Sequence, residues 1–226
     1  FKNRATPHNC AAAIEIREVF TMFQLLLVII YLSFISLGLP DSLLGSAWPT
    51  MYPQLGVPVS YAGIISMIIA LGTIVSSLQS DRLTRRLGTG KVTAISVAMT
   101  AVALWGFSVS SAFWQLCLWA VPYGLGAGSV DASLNNYVAL HYKSKHMSWL
   151  HCMWGVGTII SPVLMSLALT GGQGWNGGYR IVALIQVGIT AVLVLSLPLW
   201  KGSPAAVSAD GTPARPLTLP QILAIP

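Results

Sequence analysis

The chain of 226 residues is 54% hydrophobic and 8% charged, carries a net charge of +6, and has a mean hydropathy of +0.71. A soluble domain carries about 25% charged residues, so this composition excludes an ordinary soluble fold and reads as a polytopic membrane protein. The cations flank apolar stretches, which makes them markers of membrane orientation and argues against a nucleic-acid partner.

Residues 1–18 are polar and mixed in charge, lack the layout of a cleavable signal peptide, and read as a cytoplasmic leader. The first residue is not Met, so the chain is expected to begin inside a longer reading frame or after processing. Within residues 19–200 the apolar stretches predict six transmembrane helices. A segment of about 20 apolar residues crosses the hydrocarbon, and in lipid a helix satisfies its own backbone where an open strand edge does not. The expected limits are about Val19 to Trp48, Tyr61 to Ser80, Lys91 to Val109, Ala112 to Tyr142, Met147 to Leu169 and Tyr179 to Trp200. Residues 201–226 read as a Pro-, Ala- and Ser-rich cytoplasmic linker that turns apolar again from Leu217, as the start of a seventh helix. The predicted fold class is all-α, one six-helix membrane bundle, cut at the middle of a larger architecture.

Eleven of the twelve Lys and Arg residues fall on one side of this layout. Lys2, Arg4 and Arg17 lie in the leader, and Arg82, Arg85, Arg86 and Lys91 follow the second span. Lys143 and Lys145 follow the fourth span, and Lys201 and Arg215 lie in the tail, against Arg180 alone on the opposite side. The bias places both ends of the chain in the cytoplasm.

An ionised side chain at the centre of a membrane helix costs about 2.5–3.5 kcal/mol on insertion scales, so such groups face a cavity or a partner. Two acids lie within spans, Asp41 and Asp131. Asp131 shares a helix face with Asn135, one turn on, and lies roughly 15 Å from the expected end of its helix. No basic residue within a span is placed to neutralise it, so Asp131 reads as a proton-exchanging group or as an acid hydrogen-bonded between helices. Asp41 follows Pro40 and reads as part of a solute path or as the cap of a new helical segment. His151 and Trp154 share a face at i, i+3 spacing. A histidine titrates near neutrality and an indole stacks on a sugar ring; the plainer alternatives are a hydrogen-bonded histidine and an interfacial tryptophan. Tyr123 and Gln115 are weaker candidates, and Trp48, Tyr52, Trp114 and Trp175 read as interfacial anchors.

Pro122, Pro162 and Pro198 favour kinks. Gly124, Gly126, Gly128, Gly155 and Gly157 read first as close-packing positions and second as gating hinges. The glycines of residues 124–128 follow no strand and do not form a nucleotide loop. Cys10, Cys117 and Cys152 lack paired spacing and read as packing residues. With no zinc-type spacing and no Ser-His-Asp order, the sequence predicts no enzyme, no cofactor and no metal.

The stretch Ser77-Leu78-Gln79-Ser80-Asp81-Arg82-Leu83-Thr84-Arg85-Arg86-Leu87-Gly88 groups an acid and three arginines between two spans. It resembles the motif between helices two and three of the major facilitator superfamily, matched at Asp81, Arg82, Arg85 and Arg86, with Ser77 and Thr84 in place of two glycines. The resemblance implies a conformational-gate loop whose charge contacts hold the outward-open state and break during transport. It also implies a second six-helix half, supplied by the same gene, a split partner or a homodimer.

A narrower resemblance is to sugar permeases of the fucose permease type. Their acid late in helix one is matched by Asp41 in Leu39-Pro40-Asp41-Ser42-Leu43-Leu44. Their helix-four acid, followed by Asn four residues on, is matched by Asp131 and Asn135, and Gly157-Thr158-Ile159-Ile160 is also similar. His151 and Trp154 fall near sugar-contacting positions of helix five, with different residue types. The resemblance implies secondary active transport of a small polar solute, expected to be a sugar, by proton symport with alternating access in a bacterial-type inner membrane. Its partners are then the solute, protons and the lipid bilayer. The alternatives are an efflux carrier for lipophilic compounds and a non-transporting scaffold or half-transporter.

Overall fold

The computed structural model describes the backbone of residues 7–200 and the side chains of residues 22–200. The start of the expected leader and the whole expected linker with its seventh helix lie outside the described residues, as do the side chains of Lys2, Arg4, Arg17, Lys201 and Arg215. The described residues are almost entirely helical. They form α1 (Pro7–Asp41), α2 (Leu43–Leu55), a short 3-10 turn (Val59–Tyr61), α3 (Ala62–Leu87) and α4 (Thr89–Val109). These are followed by α5 (Phe113–His141), α6 (Ser144–Thr170), α7 (Gly174–Leu195) and the single turn α8 (Leu197–Trp200).

Among the described residues five segments are long and apolar enough to cross a membrane: Met22–Leu55, Val59–Leu87, Thr89–Val109, Ser144–Thr170 and Gly174–Leu195. α5 has 29 residues and matches them in length. Its glycines, serines, Asp131, Asn135 and Asn136 make it less apolar, and it lies covered between α3 and α4. Its glycines and serines toward α3 and α4 are buried, Asp131 and Asn135 are half-buried, and Asn136 is exposed.

The sixth span starts at Gly174 and not near Tyr179, and the first reaches Leu55 and not Trp48. Two further differences have a clear local cause. The first span is not one helix: α1 stops at Asp41, directly after Pro40, and α2 restarts at Leu43. Proline removes a backbone donor and crowds the preceding turn, which bends or breaks a helix. The expected loop after the second span is also helical. α3 continues through Asp81, Arg82, Arg85 and Arg86 to Leu87, and only Gly88 separates it from α4. Gly88 has φ 84°, a backbone conformation that side chains disfavour, and this permits the one-residue reversal.

The bundle pairs α3 with α5, α4 with α5 and with α7, and α1 with α6. Glycine sets how close these pairs come. A Cβ at Gly157 would collide with the Ile35 carbonyl, and one at Gly38 with the Trp154 carbonyl, so α1 and α6 touch backbone to backbone. Gly124 and Gly128 meet the Ile69 and Thr73 carbonyls of α3, and Gly126 meets Ser96 and Thr100 of α4. The alternating glycines of α5 thus serve close packing on two sides at once. Gly155 faces open space.

Two of the expected interfacial anchors are instead structural. Trp48 and Trp175 are buried, and their indole N–H groups donate to the Val59 carbonyl (2.7 Å) and to Gln54 Oε1 (2.7 Å). They tie the α2 end of the bundle to itself, because a buried indole needs an acceptor that lipid does not offer. Tyr52 packs partly buried beside them, and Trp114 is exposed as expected.

The two α6 glycines predict opposite outcomes. Gly157→Ala forces α1 away from α6 and is expected to cost about 1–3 kcal/mol, the range for overpacking. Gly155→Ala meets nothing and is expected to leave the thermal midpoint of the detergent-solubilised protein at or slightly above that of the parent. Equal midpoints for the two variants would contradict the close α1–α6 contact.

Candidate functional site

α1 ends on Asp41 because Pro40 interrupts it, and the bend leaves the carboxylate on an open face of the bundle. Two neutral donors reach it there. The Tyr123 hydroxyl of α5 donates to Oδ1 at 2.8 Å, and the Trp154 indole N–H of α6 donates to Oδ2 at 2.8 Å. Three helices therefore converge on one carboxylate, and among the described residues no ion pair reaches it. Asp41 and Tyr123 also line a cavity of about 300 Å³. Its remaining wall includes Ser66 and the apolar Pro40, Leu44 and Ile69. This volume is at the lower edge of the range for small-molecule sites.

Asp131 lies farther along α5. The Asn135 amide donates to Asp131 Oδ1 at 2.9 Å, and the Asn135 side-chain oxygen is buried without a hydrogen-bond partner. Asp131 is within electrostatic reach of His151 and of Asp41. His151 itself meets the Phe34 ring edge-on, with centroids 6.0 Å apart. Eight residues of helix separate Tyr123 from Asp131, about 12 Å at helical rise. The five candidates from the sequence thus form two groups, Asp41 with Trp154 and Asp131 with Asn135. His151 is near the second group without bonding to it.

Tyr123, a weaker candidate in the sequence, is a full partner of Asp41. Gln115 is not in the site: its side-chain oxygen accepts from the Ser111 and Ala112 N–H groups (2.7 and 3.2 Å) and caps α5. Sequence reasoning missed Gln186, which is buried against Ser36 between α7 and α1. An amide midway along the apolar Gly174–Leu195 helix was the available signal, by the argument already applied to the acids.

The residues that the resemblance assigns to a gate sit near the C-terminal end of α3. Asp81 pairs with Arg85 one turn on, and Arg82 and Arg86 are exposed beside them. The two positions that depart from the family motif make contacts of their own. Ser77 donates to the Gly128 carbonyl (3.2 Å), and Thr84 bonds the Ser133 hydroxyl (3.2 Å). Ser80 also bonds Ser133 (2.8 Å). The motif helix is therefore fastened to α5 at Ser133, which lies between Asp131 and Asn135 in the chain.

Among the described residues no group of His, Cys, Asp or Glu is arranged to hold a metal ion. Residues 30–224, most of the chain, match the Major Facilitator Superfamily. No curated protein matches the chain.

The Asp41–Tyr123 bond can be tested by a mutant cycle. Tyr123→Phe keeps the ring and removes one donor to a carboxylate, with an expected loss of about 1.5–3 kcal/mol of stability. In an Asp41→Ala background the same change is expected to cost less than half as much, because its partner is already gone. Thermal unfolding of the four proteins gives the coupling, and identical losses in both backgrounds would exclude the bond.

Proposed function

We propose a transport cycle for this chain, which belongs to the Major Facilitator Superfamily and is therefore an integral membrane transporter and not an enzyme. In this reading the solute is small and polar, a sugar by the narrower resemblance, and it moves together with protons. The observation that carries the reading is the Asp41 carboxylate, held by Tyr123 and Trp154 at the mouth of a 300 Å³ cavity. A carboxylate with two neutral donors keeps lone pairs free for solute hydroxyls, and the Trp154 ring offers a face on which a sugar stacks.

Asp131 and Asn135 take the coupling role. Ionised, Asp131 accepts from the Asn135 amide, as the structure has it. Protonated, it becomes a donor, and the unpartnered Asn135 oxygen is the acceptor that an amide rotation would supply. The pair then has a hydrogen-bonded arrangement for each protonation state, which a proton-coupled step needs. His151, within electrostatic reach, adds a second titratable group beside it.

The open face carrying Asp41, His151 and Trp154 is the face that a second six-helix half would close, with the solute held between the halves. That half comes from the same reading frame, a split partner or a second copy. The cations Arg82, Arg85, Arg86, Lys91, Lys143 and Lys145 gather where α3 meets α4 and α5 meets α6. They support a cytoplasmic orientation for this end, in a membrane of the bacterial inner type. Asp81, Arg82, Arg85 and Arg86 then bias the rocking equilibrium from that side. The apolar part of the cavity wall favours a second reading, an efflux carrier for lipophilic compounds. A thermal-shift screen of sugars against lipophilic amines separates the two.

In proteoliposomes containing the native protein, Asp131→Asn is expected to abolish uphill uptake of the responding sugar under an imposed proton gradient, while equilibrium exchange continues. Uphill uptake that survives the substitution would end the coupling role. Asp81→Asn removes an exposed i, i+4 pair worth about 0.3–0.5 kcal/mol, so the thermal midpoint is expected to hold within that margin while the exchange rate changes. An unchanged exchange rate would remove the gate role.

A further inference from the structure

The carbonyl of Ser36 stands one turn before Pro40, and Pro40 has no N–H to give it. In an uninterrupted helix the residue four places on supplies that bond. A backbone carbonyl left unpaired in a water-poor interior is costly, and prolines persist in membrane helices where a neighbouring helix satisfies the freed group. Gln186 does so here. Its side-chain N–H donates to the Ser36 carbonyl at 2.5 Å, across from α7. Its side-chain oxygen accepts from the Ser36 hydroxyl, so both ends of the amide close on one residue of α1. Gln186 and Ser36 are each 1% exposed, and a cavity of about 10 Å³ beside them has room for about a single water.

We propose that Gln186 is the positioning residue for Asp41: its amide stands in for the missing Pro40 N–H and fixes the bend of α1 that aims the carboxylate at Tyr123 and Trp154. Asp41 is the residue directly after Pro40, so a change in that bend moves the carboxylate first. Gln186 does not touch Asp41. It acts through the backbone, by holding the last turn of α1 in the one geometry that delivers the acid to donors on two other helices. The proposal rests on the reading of Asp41 as a solute-binding group only for its functional meaning. The geometric claim stands without it, and the experiment reads geometry rather than transport.

Proline 40 itself supplies the control. Pro40→Ala restores an N–H to the position that Gln186 now fills, so the native protein, Gln186→Leu, Pro40→Ala and the double variant form a cycle. Each is prepared as the full chain in detergent. Each is treated with dicyclohexylcarbodiimide, an apolar reagent for membrane carboxyls, and labelling at Asp41 is read by peptide mass spectrometry against Asp131 as internal reference. With proline present, Gln186→Leu is expected to release Asp41 from its donors and raise its labelling relative to Asp131 by about threefold or more, the low end of coupling between residues that share an interaction. With alanine at position 40, the same change is expected to leave the ratio within about 1.5-fold, because the backbone supplies its own donor. A ratio that responds equally in both backgrounds, or in neither, overturns the proposal. So does a parallel rise at both acids, which would report general loosening. If Gln186→Leu cannot be recovered folded, recovery becomes the readout. Rescue by Pro40→Ala supports the proposal, and failure of both variants overturns it.

Discussion

The bundle depends on α5 being closed upon from both sides. Ser129 and Ser133 are buried at membrane depth and Asp131 and Asn135 half-buried, and such groups need cover from lipid. The glycines of α5 make this shelter. Gly124 and Gly128 admit the backbone of α3, and Gly126 admits α4, at distances a Cβ would forbid. Once the helices are this close, short hydroxyl side chains span the gap. Thr73, Ser77, Ser80 and Thr84 of α3 all bond to α5. Such bonds average about 0.6 kcal/mol each in a membrane, so their effect lies less in total stability than in fixing register. α3 and α5 make the most extensive helix pair of the bundle.

That coupling gives the charged end of α3 a mechanical connection. As a loop, Asp81 to Arg86 would be a local latch. As the last turns of a helix bonded to Ser133, it lies on a rigid element that also carries Asp131 and Asn135. Ser77 and Thr84 stand where the family motif has glycine, and both make interhelical bonds that glycine cannot make. The departure from the motif exchanges backbone freedom for attachment to the acid-bearing helix.

Much of this was legible in the sequence, for reasons that are local. Apolar runs, their lengths and the one-sided cations follow from transfer free energy, and these gave the class and helix limits near Val109, His141 and Thr170 almost to the residue. Asp131 and Asn135 were readable as a pair because one helical turn places them together. What was not legible depends on partners distant in the chain. Asp41 is 82 residues from Tyr123 and 113 from Trp154. No period in the sequence connects them, and Tyr123 looked ordinary for that reason. Trp48 and Trp175 were misread because the preference of tryptophan for interfaces is an average, which an acceptor such as Gln54 overrides. The continuation of α3 through four charges was hidden by the habit of reading a charge cluster between apolar runs as a loop.

The choice of donors at Asp41 has a consequence for transport. An arginine partner would hold the carboxylate by an ion pair, an attraction that each cycle would have to break and that would leave a charge unpaired. Tyrosine and tryptophan hold it by neutral donors, at about 1.5–3 kcal/mol for a hydrogen bond to a charged group. They also come from α5 and α6 while the acid sits at the bent end of α1. In the proposed cycle a solute that competes for the carboxylate oxygens would loosen three helices from one point, and the charge it leaves behind would not be locked to a fixed cation. The bend at Pro40 puts that point on the open face rather than in the core, and the helix break that first looks like a defect of the first span is what makes the acid available.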